Sequence, residues 1–165
     1  MSVGITLREL FEWNQEASAF WKAHLDANPH LLDLVCDIGG ASNVRDFVRH
    51  IWGVELRWNQ RLAGQPVTPK EAFPTGPLDA IYDLHIQGAQ LFEELLKAPD
   101  ESWEETYVLD LALVPEDARK MSRRKVAGHA LLHSQRHWAQ LATHIRNAGF
   151  PSKFMGDLLF SRALG

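Results

Sequence analysis

Apolar positions recur at helical spacing in four stretches of the chain. From about Thr6 to Asn28 they are Leu7, Leu10, Phe11, Ala17, Phe20, Trp21 and Leu25, with His24 among them, and "NPH" at 28–30 breaks the stripe. After "LLDLVCD" the pair Gly39 and Gly40 signals a turn, and Ser42 or Asn43 offers an N-cap. The second helix, 43–64, carries Phe47, His50, Ile51, Val54, Trp58 and Leu62 on one side and closes at Gly64 and Pro66. The proline-rich "GQPVTPKEAFPTGP" then reads as a loop. A third helix begins near Leu78 and shows Ile81, Tyr82, His85, Ala89, Phe92 and Leu96 before Pro99. Only "WEETYVLDLALVP", 103–115, has strand-like content. Ser122 reads as the cap of a fourth helix that runs to Asn147, where Gly149 and Pro151 stop it.

Four amphipathic helices and one short strand segment before the last of them predict an all-α fold, a four-helix bundle. The linkers, roughly fifteen to twenty-five residues long, exceed the ~2–8 residues of simple helix–helix connections and suit crossovers. The 165 residues fit one domain, 1–165, with a core of its own. Hydrophobic content of 45% and charged content of 23% are those of an ordinary globular protein.

A net charge of -4 argues against nucleic acid as a partner, since phosphate binding needs a basic face. The one basic cluster, "SRRK" at 122–125, reads as a solvated helix start, with its cations opposed to the helix dipole. The single cysteine, Cys36, follows "LLDLV" and reads as a buried thiol in a reducing compartment. The first residues lack the basic-then-apolar layout of a signal peptide, and no apolar run approaches the ~20 residues of a membrane span. The expected location is cytoplasmic, with no membrane partner.

Four of the eight histidines, His129, His133, His137 and His144, fall within "GHALLHSQRHWAQLATHIR". Residues four apart share a helix face, ~40° apart around the axis and ~6 Å along it, so His133 and His137 can aim at one point and hold a transition metal. A lone pair of this kind is a weak signal, and hydrogen-bonded histidines at the edge of an apolar stripe are common. His129 lies ~12 Å along the axis from His137, and His144 is nearly two turns beyond it. Second-sphere or surface roles suit those two. A third ligand must come from another helix. His50, flanked by Phe47, Ile51 and Val54, is the first candidate, and His85 on the third helix is its rival; either can instead be a core histidine bonded to a carbonyl or hydroxyl. His24 and His30, near a helix end and a loop, carry little weight.

"SNVRDFVRHIWGVELRW" followed by "GHALLHSQRHWAQL" resembles the DinB/YfiT-like superfamily of metal-dependent enzymes. That family places one histidine midway along helix two and a His-x3-His-x2-His-His-Arg-Gly-Gln motif on helix four. His129 matches its first histidine, His133 the second, His137 the last and Gln140 the glutamine, and the tail "GFPSKFMGDLLF" is similar to the family's ending. Arg136 stands where a histidine is frequent, and Trp138 and Ala139 replace the usual Arg-Gly, changes that bear on the pocket rim and the substrate. The resemblance implies a DinB-like bundle, often a homodimer, with His50, His133 and His137 as metal ligands. It also implies relatives that are thiol-dependent S-transferases and maleylpyruvate isomerases, hence a small-molecule substrate and a low-molecular-weight thiol.

Three neutral imidazoles leave a divalent ion at least one position for water or substrate. Zinc there can bring a bound water to a pKa of ~7 or ionise a bound thiol, and nickel and iron also accept imidazole. Asp46, one turn before His50, is placed either to accept that ring's free N–H or to sit exposed at the helix start. Glu55 is nearly opposite His50 around the helix and offers no base. An enzyme is expected if the open position faces a cavity lined by aromatics such as Trp13, Trp52 or Trp138. A non-catalytic protein, stress-associated or stapled by a structural metal, is expected if a fourth protein ligand, such as His85 or an acid, closes the site.

Overall fold

The structure, a computed structural model, describes residues 4–163. Four long helices dominate it: α1 (Leu7–Ala27), α2 (Val44–Leu62), α3 (Leu78–Leu95) and α4 (Arg123–Asn147). Their starts follow local chemistry. Thr6 and Glu9 close a reciprocal capping box on α1, Asn43 accepts from the backbone N–H of Asp46 at 2.9 Å, and Ser122 accepts from that of Lys125 at 3.2 Å. Between α3 and α4, two short strands, β1 (Thr106–Val108) and β2 (Lys120–Ser122), pair antiparallel with Tyr107 opposite Met121. The strand-like stretch therefore holds one strand, and its partner directly precedes the last helix.

α2 packs most closely against α3 and then α4, while α1 packs against α4 and, less extensively, α3. Around the bundle the order is thus α1, α4, α2, α3. The links from α1 to α2 and from α3 to α4 each pass between helices that are not neighbours, which is why both are long. Because α2 has neighbours on both flanks, Phe47, Val48, Ile51, Trp52, Leu56 and Asn59 are all buried, and its apolar surface is wider than one stripe.

Two apolar clusters fill the interior. One is built on Trp21, Trp52 and Trp138, the first and last stacked at 5.9 Å; the other joins Phe11, Phe92, Trp58 and Trp103. The basic cluster is not simply solvated. Arg123 donates to the carbonyl of Leu62 at 3.2 Å and lies over the Trp103 ring, while Arg124 pairs with Glu104 at 2.7 Å, so the start of α4 is tied to α2 and to the preceding loop. Among the described residues no helix is long and apolar enough to cross a membrane.

Candidate metal centre

His50 projects from the middle of α2 toward α4, where His133 and His137 share one face a turn apart. One ring nitrogen from each residue lies within 4.8 Å of those from the other two. The tightest approach is Nε2 of His133 to Nε2 of His137, at 3.2 Å. A divalent ion bound to both at ~2.0–2.1 Å needs its donors ~2.9–3.4 Å apart, so the spacing fits such an ion. Among the described residues no other histidine, cysteine or carboxylate joins the cluster.

Which nitrogen faces the centre is set by Gln140. Its Oε1 lies 2.6 Å from Nδ1 of His137, so that nitrogen carries the proton and donates, and the lone pair sits on Nε2. Gln140 lies three residues on from His137, on the same helix face. His133 has no such anchor: its Nδ1 is buried without a hydrogen-bond partner, and packing holds the ring. Phe47 meets His137 edge-on with ring centroids 5.2 Å apart.

The surroundings keep all three rings neutral, the form that ligates. Burial, reinforced by His137, Lys70 and Arg136, lowers His50 to about 4. Burial again comes first for His133, lowered to about 3, with the charges of His137 and Arg136 adding to it. His137 is also lowered, by burial and then by Arg136, against the opposing effect of its bond to Gln140.

The other histidines fall elsewhere. His85 does not join the three-histidine group. It is 1% exposed, with Nδ1 3.4 Å from Oε2 of the equally buried Glu55, and the pair belongs to the contact between α2 and α3. His129 sits a turn before His133, against Trp58 at 5.1 Å. His144 donates to the carbonyl of Val35 at 2.8 Å, and His24 and His30 pack on Phe20 and Phe150. Asp46 does not reach the His50 ring; it pairs with Arg49 at 3.4 Å. Cys36 is buried, and burial raises its thiol.

A cavity of about 430 Å³ opens beside His50 and His133. Its aromatic wall is Trp58, not the residues expected from sequence: Trp52 and Trp138 are sealed in the core, and Trp13 lies away from it. Leu109, Val114 and Met121, from the β1–β2 connection and β2, form the opposite side. A second cavity of about 190 Å³, between the glycine turn at Gly39 and Gly40 and the loop carrying Lys70 and Phe73, also reaches His50. Sequence reasoning missed Trp58 as a cavity residue, although its place one turn past Val54 on the His50 side was the available signal.

Comparison with curated proteins finds no match. The family model described as "DinB family" matches residues 1–162, nearly the whole chain. With its four-helix bundle and its three histidines gathered from helices two and four, the chain belongs to the DinB family.

Proposed function

We propose that this protein is a divalent-metal-dependent enzyme, a transferase or hydrolase acting on a small molecule with a low-molecular-weight thiol as co-substrate. His50, His133 and His137 would hold the ion, with zinc, nickel and iron the candidates. The observation that carries this reading is an incomplete donor set beside open space: three imidazoles joined by no fourth protein donor among the described residues, and two cavities that reach His50. A structural staple closes its coordination with protein ligands; the rival named from sequence, His85, is engaged with Glu55, and His129, with its ring centroid 5.7 Å from that of His133, stays outside the cluster. Two cavities at one centre also suit a reaction between two partners better than a purely structural ion.

When bound, such an ion supplies Lewis acidity that lowers the pKa of a thiol or water beside it. The chain's own residues do the rest. Gln140 keeps the proton of His137 on Nδ1, so Nε2 faces the centre with its lone pair. Burial keeps His50 and His133 free of protons at neutral pH. Trp58, Leu109 and Val114 give the cavity an apolar side, which would strengthen electrostatic interactions with a bound substrate that covers it.

The test is thiol-transfer and ester-hydrolysis assays on tag-free protein, metal-loaded and metal-stripped. Stripping should lower the rate about a hundredfold or more, and returning the ion should restore it. Equal rates in the two samples across both assays would favour the non-catalytic, metal-stapled alternative.

A further inference from the structure

The larger cavity carries a charge pattern that the whole-chain charge conceals. Along α2 the positions His50, Val54, Arg57 and Arg61, spaced four, three and four, fall on one face and all line it. Lys70 enters from the α2–α3 loop and Lys125 from the first turn of α4, giving four cationic side chains. No Asp or Glu is among the described residues lining this space, and none of these four side chains is paired with a carboxylate among the described ion pairs. The chain as a whole has a net charge of -4, so the grouping opposes the overall balance. Arg61 is held in place: its guanidinium lies over the Trp58 ring at 5.3 Å and donates to the Arg57 carbonyl at 3.3 Å. Leu109, Leu111, Val114, Met121 and Val126 supply an aliphatic wall, beside which Trp58, His129 and His133 also line the space.

Resting on the metal-site reading above, we propose that the cavity selects an amphipathic organic anion, an apolar body bearing a carboxylate or phosphate, as the substrate brought to the histidine centre. Apolar groups bury against the aliphatic wall, and the anion meets Arg57, Arg61, Lys70 or Lys125 through charge-assisted hydrogen bonds. Arg57 and Arg61, half-buried beside apolar surface, are poorly solvated and repel each other; burial and then the charge of Arg57 lower the pKa of Arg61. An anion relieves both costs, whereas a neutral apolar ligand relieves neither. A free small anion gains nothing from the wall.

Isothermal titration calorimetry on the zinc-loaded protein, with octanoate, octyl phosphate, octanamide and acetate as probes, tests this. Octanoate and octyl phosphate should each bind about tenfold or more tightly than octanamide or acetate. Because zinc could itself prefer an anion, the variants are decisive. Arg57→Gln, and separately the exposed pair Lys70→Gln/Lys125→Gln, should each weaken octanoate binding by about tenfold and leave octanamide within twofold. The double lysine variant keeps the test sound if Arg57→Gln fails to fold. Octanamide or acetate matching octanoate, or a preference that survives in a folded Arg57→Gln variant and in the double lysine variant, would overturn the proposal. Should the protein take up no zinc yet keep the anion preference, only the metal reading fails. Zinc uptake with no side-chain-dependent preference sinks this inference alone.

Discussion

The three imidazoles are held neutral by burial before any ion is considered, and this has a cost that depends on pH. His50 is lowered from 6.5 to about 4. Between those values the unfolded chain takes up a proton that the folded chain refuses, so folding stability falls as pH falls through that window and levels off below it. From pH 6.5 to pH 5 the loss from His50 alone is about 1–2 kcal/mol. For a domain of this size that lowers the melting temperature of metal-free protein by about 2–8 °C. Thermal melts across pH 7.5 to 4 check this, with His50→Gln expected to flatten the profile; an unchanged slope in that variant would contradict the burial argument. At the same scale, Gln140 shows what spacing alone cannot disclose. Its place in the motif was visible, but its function, holding one tautomer of His137 through a 2.6 Å bond, depends on rotamers. Asp46 fails for the complementary reason: one turn from His50 was the right address, yet Arg49 holds its carboxylate.

The helices themselves were legible, because each carries a strong apolar period and a chemically identifiable start. Thr6, Asn43 and Ser122 all cap as their side chains allow. What period could not show is which face of α2 meets which neighbour. His50 and His85 look alike in sequence, both on apolar stripes, and only the bundle order separates them: His50 faces α4 and its two histidines, His85 faces Glu55 of α2. Glu55, set aside from the site because it lies across the helix, is engaged on that other side. The loop after α2 shows a related dependence. A Cβ on Gly53 would fall 2.2 Å from the Phe73 ring, which seats the loop carrying Lys70 against the helix. Gly53→Ala should therefore destabilise the protein, by about 1–3 kcal/mol, although alanine is the better helix former. Denaturant unfolding measures this, and a gain in stability would show that the ring is not locked there.

For the whole molecule, the long connections serve two purposes. They permit the α1, α4, α2, α3 arrangement that faces His50 toward His133 and His137, and the last of them walls the cavity with Leu109, Val114 and Met121. The overall acidic charge pointed away from phosphate-bearing partners, and it was a poor guide to the one cavity where Arg57, Arg61, Lys70 and Lys125 collect. A sum over the chain carries no position. The cavity's aromatic wall differs for a similar reason: Trp52 and Trp138 are wholly enclosed in the first apolar cluster, whereas Trp58, packed in the second, keeps one side on the cavity. The central claim is that imidazoles from two helices converge on a single cation. Zinc titration of tag-free protein at pH 7, wild type beside His133→Ala, tests it most directly. One equivalent should bind to the wild type and most of that binding should vanish in the variant, with circular dichroism unchanged; a folded variant that retains a full equivalent would contradict the account.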